Sequence, residues 1–166
     1  NGGTPITSFV VSILDTVTSL TSQITLSPSL NSYLTTSLIP GRLYQINIKC
    51  VNNIGSSDWL LSPINVYPGV IPISPEPVTF PSVTRNSITL TWNNVVGQDT
   101  GGTNLQPISV TSYLVFMDNG FGGAFTQVGS TASNSFTMTL LKSGLPYNFK
   151  IQTQTIIGIS QFNAPS

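Results

Sequence analysis

One pattern is written twice in this chain. The stretch Leu141-Lys142-Ser143-Gly144-Leu145-Pro146-Tyr147-Asn148-Phe149-Lys150-Ile151 carries a turn glycine and then an alternating run. Tyr147, Phe149 and Ile151 fall on one face, and Asn148, Lys150 and Gln152 on the other, the period of two of a half-buried strand. Leu38-Ile39-Pro40-Gly41-Arg42-Leu43-Tyr44-Gln45-Ile46-Asn47-Ile48 repeats it. Leu38, Gly41, Tyr44, Ile46 and Ile48 align with Leu141, Gly144, Tyr147, Phe149 and Ile151 at one offset, 147 − 44 = 103, and Gly55 and Gly158 keep that offset. A fixed offset of domain size marks a duplicated domain. The 166 residues are therefore divided between two small units.

Composition bounds what two such units can be. Hydrophobic residues are 39% of the chain and charged residues 6%, where a soluble domain carries about 25% charged residues. Ser and Thr supply roughly a quarter of the chain, which predicts a neutral, hydroxylated surface. The apolar share is enough for two cores, so disorder is not expected. Five basic residues balance five acidic ones, and Arg42, Lys49, Arg85, Lys142 and Lys150 are scattered. No basic stripe exists for nucleic acid or anionic lipid. Neutrality also removes the self-repulsion that keeps copies apart, which permits assembly. A single cysteine forbids an internal disulfide, and there is no histidine. No apolar run reaches membrane-spanning length. With Asn1 in first place and no signal peptide, the chain is expected to be a mature piece or an excised fragment.

Along the chain, residues 1–11 read as a Gly/Pro loop opening a strand, similar to Thr100-Gly101-Gly102-Thr103 followed by Ser112-Tyr113-Leu114-Val115. Phe9 then corresponds to Tyr113. Further strands are expected near 20–26, 32–39, 43–53 and 62–67. Residues 68–77, dense in proline, read as a stiff extended connector at the domain boundary. Beyond it strands are expected from Val78 to Thr84, through Ile88, Leu90 and Trp92, from Thr111 to Asp118, from Phe125 to Val128, from Ser135 to Leu141 and from Pro146 to Ile156, with a last run from Ile159. The loop 97–104 is expected to be flexible. Its glycines do not make a phosphate cradle, since no helix follows. Short strands with regular turn signals and no helical stripe predict an all-β sandwich.

The residues resemble the fibronectin type III family. Pro77 stands before a first strand, Ser87-Ile88-Thr89-Leu90-Thr91-Trp92 resembles strand B, and Ser112-Tyr113-Leu114-Val115 strand C. Ser135-Phe136-Thr137-Met138 resembles strand E, Leu141 to Tyr147 the E–F corner, and Ile157-Gly158 the F–G turn. The resemblance implies two tandem immunoglobulin-like β-sandwich domains in an extracellular or cell-surface setting, used for binding and scaffolding. It places Tyr44 and Tyr147 as corner tyrosines whose hydroxyls bond back to backbone. It also exposes a gap. Unit one, residues 1–70, holds only strands C to G, with no counterpart of strands A and B or of Trp92. Unit two, residues 75–166, runs from strand A to the start of G, stopping at Ser166. Phe9, Val11, Ile13, Tyr33, Tyr44, Ile46 and Ile48 of unit one are then expected to face water, with strand E left unpaired. No Arg-Gly-Asp triplet is present.

Chemistry finds little to work with. Asp15, Asp58, Glu76, Asp99 and Asp118 lie far apart in sequence, and no histidine is available as an acid or base. No catalytic residue, cofactor site or clustered metal ligands are expected. Cys50 shares the parity of Tyr44, Ile46 and Ile48 and is expected to be a small buried hydrophobe. Trp92 shares the parity of Ile88 and Leu90 and belongs to the core, whereas Trp59 lies in a loop and is open to either a contact or local packing. Leu114 and Phe116, and Val10 and Leu14 in unit one, have outward parity. They are candidate assembly contacts, with domain packing or cover by O-linked glycan as the alternatives. The expected function is a non-enzymatic structural subunit of an extracellular fibril, built head-to-tail from copies of itself. The incomplete sandwich would be closed by a neighbouring segment or subunit. The alternatives are an adhesion or receptor-type module of a longer array, and an accessory module of a polysaccharide enzyme.

Overall fold

The computed structural model describes residues 3–76 and 78–164. Pro77 and Ser166, which the sequence places before strand A and within strand G, lie outside the described residues. The chain forms two compact units, Asn1–Pro68 and Gly69–Ser166.

The second unit is a two-layer sandwich. One sheet holds β5 (Val78–Val83), β6 (Ile88–Trp92) and β9 (Ser135–Met138), in the order β5-β6-β9. The other holds β7 (Val110–Met117), β8 (Thr126–Thr131) and β10 (Phe149–Thr155), in the order β10-β7-β8. Both are antiparallel. Alternation along β10 buries Phe149, Ile151, Thr153 and Thr155 on one face. Phe149 and Ile151 meet Leu90 and Trp92 from the facing sheet, and Trp92 stands edge-on to Tyr113 at 5.3 Å between ring centroids. Inward-facing alternate residues of two sheets interdigitating in this way make the core of a sandwich. After β10 the chain turns at Gly158 and runs back beside it as an irregular edge. Ser160 N–H donates to the Thr153 carbonyl at 2.9 Å, and Asn163 N–H to that of Ile151 at 3.3 Å.

Two loops are tied down by specific bonds. The 97–104 stretch, expected to be a flexible loop, contains a 3-10 turn, Gly97–Thr100. The buried Thr100 hydroxyl donates to the Gly97 carbonyl at 2.7 Å and accepts from Ile108 N–H at 2.8 Å. The proline-dense connector, expected to be a stiff spacer, is bonded to the second unit. Val70 N–H donates to Gly101 and Ile73 N–H to Asp99, at 3.0 and 2.9 Å, and Pro72 and Pro75 are buried. A side chain at Gly101 would collide with the Val70 carbonyl oxygen. Residues 69–76 are thus the lead-in of the second unit, held by its own loop.

The first unit is one sheet. β1 (Ile6–Asp15), β2 (Thr21–Leu26), β3 (Tyr44–Asn52) and β4 (Ile64–Val66) are antiparallel in the order β2-β1-β3-β4. The strand expected at 32–39 does not form. In unit two its counterpart, β9, pairs with β6, and among the described residues unit one has nothing equivalent to β6. Without a neighbour its backbone has no ladder to join, and residues 31–39 run irregularly. The core is accordingly small: Val11, Ile13 and Tyr44, with Leu26, Leu38 and Ile46 packed around them. Those three buried residues were expected to face water. The segment that failed to become a strand instead brings Leu38 over them.

A large hydrophobic core is needed to offset chain entropy, and three buried apolar side chains fall short of one. Residues 1–68 expressed alone are expected to show no cooperative thermal transition by circular dichroism, while 69–166 melts as a single unit. A sharp melt of 1–68 would show that the single sheet is self-sufficient.

Candidate functional site

The apolar face of the first sheet is the feature that sets this chain apart. The register places Phe9 opposite Cys50, Val11 opposite Ile48 and Ile13 opposite Ile46, with Leu26 beside Phe9 and Ile24 beside Val11. All these side chains share one face. Unit two gives the comparison residue by residue, at the offset of 103. Ile48 is 40% exposed, and its counterpart Ile151 is 0% exposed. Ile46 is half-buried and Phe149 buried; Cys50 is half-buried and Thr153 buried. Cys50 does face inward, but it is not the buried hydrophobe expected, because the layer that covers Thr153 is missing over it. An open cavity of about 420 Å³ lies at this end of the sheet, lined by Ile6, Cys50, Val51, Ile54, Gly55 and Ser57 among others.

The local architecture of the two units nonetheless matches bond for bond. Tyr44 hydroxyl accepts from Ile39 N–H at 3.0 Å, and Tyr147 hydroxyl from Lys142 N–H at 3.1 Å. Gly41 and Gly144, with φ of 77° and 83°, supply the left-handed turn before each tyrosine. Ser57 Oγ accepts from Cys50 N–H at 3.0 Å, as Ser160 Oγ accepts from Thr153 N–H at 2.9 Å.

The outward candidates are half-buried in every case: Val10, Leu14, Trp59, Leu114 and Phe116. Val10 stands opposite Lys49, whose ammonium lies 4.7 Å from the centre of the Trp59 ring. Trp59 is therefore engaged in local packing, a cation–π contact. Phe116 meets Phe162 edge-on at 4.9 Å. Lys150 lies over Phe125 at 4.3 Å and over Phe162 at 5.4 Å. Leu14 stands opposite Gln45, and Leu114 opposite Gln152, so these two remain separate from the aromatic groups. Phe125, Phe162 and the two lysines were not singled out from sequence. Phe162 could have been found, since it lies 162 − 59 = 103 from Trp59.

The carboxylates have structural surroundings. Burial opposes the charge on Asp15. The Arg42 guanidinium at 2.8 Å and the N–H groups of Val17 and Thr18 outweigh it and hold the carboxyl below its usual range. Asp118 is buried, which likewise opposes its charge. Bonds from the Asn148 side chain at 2.7 Å and from the N–H groups of Asn148 and Gly120 hold its pKa down. No group of three or more His, Cys, Asp or Glu that could hold a metal is found among the described residues. No helix among them is long and apolar enough to cross a membrane.

The family model for the fibronectin type III domain matches residues 74–166, more than half of the chain. The chain belongs to the fibronectin type III family. Its fold is similar to that of titin domains A168–A170, with a TM-score of 0.62, 17% identity, and cover of 94% of this chain and 52% of that one. It is also similar to a two-domain fibronectin type III segment of chicken tenascin, with a TM-score of 0.51, 17% identity, and cover of 99% and 85%. The chain thus spans about half the length of the titin structure. At these identities the likeness is one of fold. Fibronectin type III domains are generally not catalytic, and the inventory of groups above contains no acid–base pair.

Two predictions follow from these bonds. Tyr44→Phe and Tyr147→Phe each remove one acceptor of a backbone N–H and are expected to lower stability by about 1 kcal/mol, read from denaturant midpoints. Asp118 has a folded pKa below its unfolded value, so its contribution is present above the unfolded pKa and lost as pH falls through the folded one. The melting midpoint of the second unit is expected to fall as pH drops through and below the ordinary carboxylate range. In Asp118→Asn the midpoint at neutral pH should be lower and this acid dependence shallower.

Proposed function

We propose that this chain is a non-enzymatic structural segment of an extracellular or cell-surface fibril, in which sandwiches join end to end. The first unit is closed by strands from outside residues 1–166. The observation that carries this reading is the open apolar face around Ile48 and Cys50, whose counterparts in the second unit are covered by β5, β6 and β9. The stretch 32–39, whose counterpart β9 pairs with β6, has no strand to join, and a strand supplied from outside would give it a ladder. Completion by a neighbour is a heterologous contact, and such contacts build filaments when they do not close into rings. The low charge leaves little electrostatic opposition to that packing.

Size-exclusion chromatography over a wide concentration range, with negative-stain microscopy, tests the proposal. Concentration-dependent species that extend into linear particles are expected. Monomers at every concentration would count against a fibril. The second reading, an adhesion-type module of a longer array, draws on loop residues: Leu105 is 94% exposed and Phe121 77% exposed. A monomer whose binding to a partner is lost in Leu105→Ser or Phe121→Ser would favour it.

A further inference from the structure

The cavity of the first unit has a counterpart in the second that is already filled. Adding 103 to Cys50, Val51, Ile54, Gly55 and Ser57 gives Thr153, Gln154, Ile157, Gly158 and Ser160. The turns correspond closely: Val51 bridges to Ser56 as Gln154 bridges to Ile159. Yet Ser57 is exposed, whereas Ser160 is 2% exposed. What covers the second turn is the lead-in segment. A Cβ placed on Gly158 would lie 3.2 Å from Ile71 Cγ2, and one placed on Gly69 would lie 3.1 Å from Ile157 Cγ1 and Cδ1. A Cβ placed on Gly55 meets nothing within 4 Å.

We infer that the cavity beside Cys50 and Gly55 is the docking site of an extended, proline-bearing apolar segment of the pattern Gly-Val-Ile-Pro-Ile. This segment is the lead-in of the same piece of chain that supplies the completing strands. The inference rests on the reading that the first unit is completed from outside. The chemistry agrees with such an occupant. None of the lining residues is charged, and Ile6, Cys50, Val51 and Ile54 supply apolar surface. Prolines hold the segment extended before docking and reduce the entropy lost. In the second unit the lead-in is also gripped from its other side, by Gly101 and Asp99. The docked segment therefore needs a loop from the completing chain as well as the cavity itself.

The single cysteine lies both beside this cavity and under the missing layer, so it reports on the two together. A second copy of residues 69–99 placed ahead of Asn1 restores the order lead-in, β5, β6 and loop before the first sheet. Alkylation of Cys50 in this extended chain is expected to be slower than in the 166-residue chain by on the order of tenfold. Two changes should each raise the rate again, by the part of the protection that the lead-in supplies, while both extended chains still melt cooperatively. One is Ile71→Ser with Pro72→Ser in the added copy only. The other is Gly55→Val, which fills open space in the original chain and should leave its melting unchanged. Protection that survives both changes would overturn the lead-in site while leaving completion by strands intact. An added copy that neither slows alkylation nor raises the cooperativity of melting would overturn completion as well.

Discussion

A sheet that is apolar on one face must be covered by a second layer, and this requirement governs everything else in the chain. The second unit meets it: β6 lays Leu90 and Trp92 against Phe149, Ile151 and Val115. The first unit has the same kind of face and no such layer. The two units form an internal control, because the strands, turns and corners around the missing layer are retained. The difference between Ile48 and Ile151, 40% against 0% exposed, isolates the effect of the layer. Covering such a side chain fully is worth on the order of 1–2 kcal/mol. Several such positions together approach the net stability of a small domain.

What survives the loss of the layer, and what does not, follows from the range of the interactions. The tyrosine corners, the left-handed glycine turns and the F–G turn bonds join residues close in sequence. They form in both units. The strand expected at 32–39 depends on a partner from a distant part of the chain, and it is lost. The hydrophobic residues of that stretch respond differently along its length. Leu38, beside the corner, folds onto Val11, Ile13 and Tyr44, while Leu34 is left 83% exposed. Local bonding thus fixes the end of the segment, and the middle waits for a ladder.

The same division explains how much was legible in the sequence. Alternation through Tyr44–Ile48 and Tyr147–Ile151 and the constant offset revealed the all-β fold and the duplication. These signals are local or compositional. The failure of the 32–39 strand was not legible, since Tyr33 and its neighbours have the right composition and lack only a partner. The connector misled for a related reason. Its prolines predict a stiff spacer, but Val70 packs on Gly101 and Ile71 on Gly158, far along the chain. The outward residues were read by parity alone. Parity gives the face and says nothing of the side chain that lies across it, so Phe116 reads as an open contact when Phe162 stands edge-on to it.

Those neighbours bear on how copies would meet. An outward aromatic that lies under its own lysine has part of its apolar surface already covered, and the ammonium must be desolvated before another protein can press on it. Trp59 under Lys49 and the Phe125–Phe162 pair around Lys150 are in this condition. Side-by-side stacking through the outer faces therefore gains little per contact and carries a desolvation cost. The inner face of the first unit has no such protection: no charged side chain stands among Phe9, Val11, Ile46, Ile48 and Cys50, and the cavity beside them is lined without charge. Its apolar surface gains the full benefit of burial, and the backbone of 32–39 offers ladder bonds to an entering strand. Between the two routes, physical chemistry favours closure of the open sandwich over lateral association.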